Sequence, residues 1–175
     1  MDPVNSLFEE LKDLQATKKL PPVDLWQPER IGEIDIRIDR DGCWHHDGRL
    51  IERTAIAKVF STILRLDEDN YYLVTPQEKL KIEVEDVPFL VTDAQTRGAG
   101  ESLEIVVSTS MDDHVVISSE HPLIMRGDAP YVDIRTGLLG RISRSVYYYL
   151  VELGQEEAST WCLYSSGARF ELGAV

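Results

Sequence analysis

The chain writes one short pattern twice. Tyr71-Tyr72-Leu73-Val74-Thr75 is matched by Trp161-Cys162-Leu163-Tyr164-Ser165. Without any gap, Lys79-Leu80-Lys81-Ile82 is then matched by Arg169-Phe170-Glu171-Leu172. Ile34-Asp35-Ile36-Arg37 has its counterpart in Val132-Asp133-Ile134-Arg135, and Arg53 in Arg141, each arginine at the start of an expected helix. Each half then runs strand, helix, strand, strand. Duplication of one unit gives such a pattern, and so do two units shaped alike by common packing rules. Both origins imply an α+β fold of two structurally related small domains, each a helix packed on an antiparallel sheet. Two related units side by side create a groove, and clefts between domains favour small-ligand sites.

The periodicity fills in the elements. Asp2-Pro3 suits a cap and first helical position, and Ser6-x-x-Glu9 matches a capping box. Leu7, Phe8, Leu11 and Leu14 form an apolar stripe, Lys18 and Lys19 suit a helix C-terminus, and Pro21-Pro22 stops it. This N-terminal amphipathic helix over 1–22 either docks on its own domain or offers a partner its face. A first α+β domain follows over 23–87 and a second over 88–175. In the first, Ile34, Ile36 and Ile38 alternate with charges as in a half-buried strand, and Asp41-Gly42 signals a hairpin returning through Cys43-Trp44-His45-His46. A helix is expected over 52–66, then strands over 71–75 and 80–84. In the second, β-rich runs at 89–92, 103–109 and 115–118 form a meander. A strand at 132–135 precedes a helix over 139–153, and strands at 161–164 and 169–172 close the chain.

Composition narrows the function. The 175 residues hold 31 acids against 18 Lys and Arg, a net charge of −13 at pH 7. That balance argues against binding duplex nucleic acid, which needs clustered cations. An apolar fraction of 43% argues against disorder. The two cysteines, Cys43 and Cys162, lie far apart with no C-x-x-C spacing. No apolar run approaches the roughly 20 residues of a membrane span, and the acidic start lacks the basic and apolar regions of a secretory signal. The expected location is the cytoplasm.

The residues that carry chemistry are few. His45-His46-Asp47 invites a metal reading, but strand neighbours point to opposite faces, so a hairpin with one buried and one exposed histidine fits better. Arg97-Gly98-Ala99-Gly100 lacks the third glycine of a dinucleotide fingerprint and the Gly-Lys-Ser of a P-loop, which leaves a hairpin turn. No nucleophile elbow appears, and no catalytic residues, metal or cofactor are expected. A hydrolase using His46 or His121 as base is the weakest alternative. Arg141, Arg144 and Tyr148 share a face of the expected second helix; guanidinium forks grip phosphate or carboxylate, and a tyrosine ring can stack on a base. Trp44, on a facing surface, would add a second stacking plane.

Several runs together resemble a known group. They are Asp41-Gly42-x-Trp44-x-x-x-Gly48, Phe60-Ser61-x-Ile63-Leu64, Tyr72-Leu73-Val74-Thr75-Pro76-x-Glu78-Lys79 and Val84-Glu85-Asp86-Val87-Pro88-Phe89. Glu120-His121-Pro122-Leu123 and Ile142-Ser143-Arg144-Ser145-Val146-Tyr147-Tyr148 fit as well. Over about 25–172 the chain is similar to domain-of-unknown-function family 1285, an uncharacterised bacterial group. The resemblance implies a duplicated α+β core, a C-terminal domain superficially like pleckstrin-homology folds, and a role in signal transduction. It also implies a nucleotide-like ligand at the domain interface. Trp44, Thr75, Glu78, Lys79, Arg144 and Tyr148 fall inside the matched motifs, and Arg141 lies beside them. The function expected is therefore non-catalytic sensing of a small anionic ligand. Lys79 and Arg144 would hold phosphate, and Trp44 or Tyr148 would stack. The alternative is a protein-interaction module without a small ligand, working through its meander edge or its N-terminal helix.

Overall fold

A computed structural model describes residues 2–11 and 20–175. The expected helical positions Leu14, Lys18 and Lys19 lie outside the described residues. The chain divides into two compact units, Met1–Asp86 and Val87–Val175.

The first unit opens with helix α1 (Pro3–Leu11), whose first turn is capped by Asp2: its carboxylate accepts the Val4 N–H at 3.0 Å. Val4, Leu7, Phe8 and Leu11 are buried. Of the two readings of this helix, docking on its own unit holds. A short 3-10 turn (Val23–Leu25) leads to strands β1 (Arg30–Ile38), β2 (Trp44–His46) and β3 (Arg49–Leu50), then helix α2 (Thr54–Thr62). α1 packs beside α2, and the Arg53 guanidinium at the head of α2 lies 5.2 Å from the centre of the Phe8 ring. Strands β4 (Leu64–Asp67), β5 (Asn70–Val74) and β6 (Glu78–Val84) complete one sheet in the order β3-β2-β1-β6-β5-β4. Its pairs are antiparallel except β1 beside β6. The expected Asp41-Gly42 turn is present; Gly42 takes φ 77°, and the Asp39 carboxylate accepts the N–H groups of Asp41 and Cys43.

Helix α2 is shorter than its periodicity implied. The hydroxyls of Ser61 and Thr62 donate back to the carbonyls of Lys58 and Val59 in the last turn. Leu64 then pairs with Leu73 across β5, so the apolar positions that prolong the helical spacing belong to a strand.

The second unit begins with β7 (Phe89–Arg97), β8 (Glu104–Thr109), β9 (His114–Val116), β10 (Leu123–Arg126), β11 (Ala129–Arg135) and β12 (Leu138–Ile142). These form a sheet in the order β10-β11-β12-β7-β8-β9, with β12 parallel to β7. Helix α3 (Arg144–Leu153) follows, then a three-stranded sheet of β13 (Gln155–Glu157), β14 (Thr160–Ser165) and β15 (Ala168–Ala174). The expected helix start at Leu139 is corrected: Leu139 to Ile142 are strand. A Cβ on Gly140 would sit 3.0 Å from side-chain atoms of Ile134 and Val91, so the backbone is packed tightly there. Ser143 then caps α3 by accepting the Val146 N–H. The three-stranded sheet is fastened to β8 by Ser165, whose buried hydroxyl accepts the Ile105 N–H at 2.9 Å, and by the Ser166 N–H to Leu103 carbonyl bond at 2.8 Å.

The duplicated element is now defined. α2 with β4–β6 and α3 with β13–β15 are the same helix and three-strand meander. Val74 pairs with Lys79 as Tyr164 pairs with Arg169, and Arg65 pairs with Tyr72 as Gln155 pairs with Cys162. In that frame Arg53 corresponds to Ser143, each the residue before its helix, and not to Arg141. The Ile34 and Val132 echo is not a structural equivalence: β1 lies parallel to β6, whereas β11 is antiparallel to both neighbours.

Trp161 ties the second meander to its helix by donating Nε1–H to the Val151 carbonyl at 2.9 Å. A Cβ at Gly154 would lie 2.9 Å from the Cys162 carbonyl and closer still to that indole nitrogen. Gly154→Ala is expected to lower unfolding stability by about 1–3 kcal/mol. Urea denaturation measures it, and unchanged stability would contradict the packing described.

Candidate functional site

On strand β4, Arg65 and Asp67 are two residues apart and so share one face of the sheet. Tyr72 on β5 and Lys79 on β6 join them, and the 3-10 turn brings Asp24 to the rim. Together with Glu68 and Asn70 they line an open cleft of about 460 Å³ in the first unit. Arg65 is only 8% exposed. Its Nε and Nη2 grip the Asp67 carboxylate at 2.9–3.1 Å, and its Nη1 donates to the carbonyls of Val23 and Trp26 at 2.7 and 2.8 Å. The Lys79 ammonium lies 2.6 Å from Asp67 Oδ2 and 4.1 Å from the centre of the Tyr72 ring. Burial alone would raise the Asp67 pKa, but the hydrogen bonds and charges of Arg65 and Lys79 outweigh it and hold the carboxyl below its ordinary 3.8.

Three carboxylates therefore face two cations in this cleft, and both cations already have a carboxylate. Sequence reasoning found Lys79 and missed Arg65, Asp67 and Tyr72. The signal was the i, i+2 spacing of Arg65 and Asp67, hidden because 64–66 read as the end of a helix.

The other expected residues fall elsewhere. Thr75 is buried, and its hydroxyl accepts the N–H groups of Gln77 and Glu78 in the β5–β6 turn. Glu78 stands 3.8 Å from Arg30, its neighbour across the parallel pair. Trp44 is 2% exposed and lies 6.2 Å, centre to centre, from the Phe60 ring in the core. That placement corrects the expectation of a stacking plate, because neither face of the indole is offered to a ligand.

In the second unit, Arg141 sits on β12 opposite Tyr131, not on the helix with Arg144. Arg144 and Tyr148 do share a face of α3. The guanidinium Nε donates to the Tyr148 hydroxyl at 3.0 Å and the guanidinium carbon lies 5.5 Å from the ring centre. Both are exposed, Tyr148 by 53%. Among the described residues, no carboxylate pairs with Arg141 or Arg144.

The histidines are engaged in local structure. His45 and His46 are both half-buried, which corrects the expected split of one inside and one outside. His45 Nε2 meets Asp39 at 2.8 Å, His114 Nδ1 meets the Ser108 hydroxyl at 2.8 Å, and His121 Nδ1 donates to the Asp133 carbonyl at 3.0 Å. Among the described residues, no group of three or more His, Cys, Asp and Glu is arranged to hold a metal ion. Both cysteines are free, Cys43 exposed and Cys162 buried. Among the described residues, no helix is long and apolar enough to cross a membrane.

Asp67→Asn leaves the Arg65 charge without its counter-ion. It is expected to lower stability at pH 7 by about 1.5–3 kcal/mol. The native carboxyl pKa is depressed, so its contribution is full above 3.8 and fades as pH falls through the lower native value. The deficit of the variant should therefore shrink toward pH 3. Urea melts at both pH values test this, and an equal deficit at both would contradict it.

Residues 21–87 match the N-terminal domain, and 88–172 the C-terminal domain, of a family described as domain of unknown function DUF1285. A DUF1285 family protein from Silicibacter pomeroyi DSS-3, known as a crystal structure, is 38% identical, with 100% of this chain and 97% of that one aligned at a TM-score of 0.92. A second such protein, from Shewanella baltica OS155, is 30% identical over 67% of this chain and 90% of its own, with a TM-score of 0.56. No curated protein matches. The chain, with its two α+β domains in sequence, belongs to the DUF1285 family.

Proposed function

We propose that this protein is a non-catalytic, cytoplasmic sensor that binds a small anionic, nucleotide-like ligand and passes the bound state on in signal transduction. The observation that carries the reading is the state of Arg144 and Arg141. The chain has 13 more acidic charges than basic ones, yet among the described residues these two guanidiniums have no carboxylate partner. A guanidinium without a carboxylate partner leaves its planar fork open to phosphate or carboxylate oxygens. Tyr148 adds to this. Its hydroxyl orients Arg144 through the 3.0 Å bond, and its exposed ring offers a plane for a base. Lys79 is the weaker candidate, since an incoming anion must compete with Asp67 at 2.6 Å.

Two observations weigh against the alternatives. The histidines that a hydrolase would need as bases hold local hydrogen bonds. The apolar face of α1 is already buried, which weighs against that helix as a free protein-docking surface.

A panel of nucleotides in a thermal-shift assay, followed by titration calorimetry of any that stabilises, tests the proposal. Arg144→Ala should weaken binding roughly ten- to a hundredfold, the loss of one charged hydrogen bond. Absence of stabilisation by every member, or binding unaffected by Arg144→Ala, would overturn it.

A further inference from the structure

We propose that His46 is a protonation-dependent clasp that fastens helix α1 to the first unit, tight when the imidazole is charged and loosened when it is neutral. The argument is stereochemical. His46 stands on β2 with both ring nitrogens engaged: Nδ1 is 2.9 Å from the Asp35 carbonyl oxygen of β1, and Nε2 is 3.0 Å from Oδ1 of Asp2. A carbonyl and a carboxylate are acceptors only. Both contacts are hydrogen bonds only when both nitrogens carry protons. A neutral ring has one proton, so it must turn a lone pair either to the carbonyl or to the carboxylate. The charged ring satisfies both, and the Asp47 carboxylate 3.4 Å away favours it further.

The other charged groups around the ring point the same way. Glu10 of α1, Glu33 and Asp35 of β1, and Glu78 of β6 line the same cleft of about 510 Å³; Arg30, which pairs with Glu78, is its cation. Arg49 is the cross-strand neighbour of His46 on β3. Acids outnumber cations, and burial of the ring, which acts against its charge, is outweighed by the Asp35 carbonyl, Asp47 and Asp2, so the pKa is raised above 6.5. A raised native pKa means that the clasp is closed at low pH and opens as pH rises through the native value.

Asp2 makes this contact consequential. The oxygen that meets His46 also accepts the Val4 N–H, so one carboxylate both caps α1 and anchors it. Loosening it weakens the first turn of the helix and its hold on the sheet together. The face by which α1 docks is apolar: its Val4, Leu7, Phe8 and Leu11 are buried in the closed state and become exposed when the helix lifts. The device therefore raises, by a small factor, the fraction of molecules in which this apolar face is exposed as pH rises.

Hydrogen exchange of the amides at 4–11 tests the clasp, measured between pH 5.5 and 8.5 and corrected for intrinsic rates. In the wild-type protein, protection should fall about two- to fivefold as pH rises, the magnitude of a partly exposed ion pair. His46→Gln should remove that pH dependence while the amides of β5 and β6 stay protected. Asp2→Asn keeps a capping side chain without the charge and should flatten the profile in the same way. A flat wild-type profile, or a pH dependence surviving in Asp2→Asn, would overturn the proposal.

Discussion

A guanidinium withdrawn from water must have its charge and its donors met by the protein, and Arg65 imposes that condition on the first unit. Its three nitrogens donate to one carboxylate and two main-chain carbonyls, and each partner comes from a different need. Asp67 supplies the opposite charge. Val23 and Trp26 supply their carbonyls, which pins the segment before β1 against β4. Asp67 then has a second cation within reach, and Lys79 takes it while lying over Tyr72. The cleft and the course of the chain into it follow from compensating one charge.

The second unit repeats the geometry with different chemistry. Gln155 stands where Arg65 does, Glu157 where Asp67 does, and Arg169 where Lys79 does. Gln155 donates to Glu157 at 2.7 Å, and Arg169 meets Glu157 at 3.1 Å. Gln155, Tyr164 and Arg169 hold the Glu157 carboxyl below the usual carboxylate range. The triad survives, but a neutral amide replaces the buried cation, so no strap is drawn over this meander by it. The helices diverge as well. Arg144 occupies the position of Thr54 and Tyr148 that of Lys58, so the residues proposed to meet a ligand lie where the two copies differ. Divergence between copies of one scaffold is where a binding property is free to arise, because the shared positions are held by packing.

What the sequence made legible was local in origin. The alternation in Ile34 to Ile38, the Asp41-Gly42 turn and the paired strands around Thr75 need only neighbours to declare themselves, and they stand in the structure. The strand through Gly140 was not legible because it depends on β7, a pairing partner distant in sequence, and the end of α2 was hidden because the apolar positions of β4 prolong the helical spacing. The same cause separated Arg141 from Arg144. Trp44 was misplaced for another reason. An aromatic next to two histidines on a short strand reads equally as surface or core, and only the position of Phe60 decides it. The cleft cations were half visible: Lys79 stood in a turn motif, whereas Arg65 and Asp67 required that their strand be recognised first.

The dependence of the first unit on the Arg65 charge is tested most directly by a double-mutant cycle on Arg65 and Asp67, using Arg65→Met, Asp67→Asn and the double variant in urea unfolding at pH 7. The expected result is strong coupling, with the double variant more stable than the sum of the single losses implies by at least about 1 kcal/mol. Losses that add to within about 0.5 kcal/mol would show that the two residues act independently, and would contradict the central place given to their pairing.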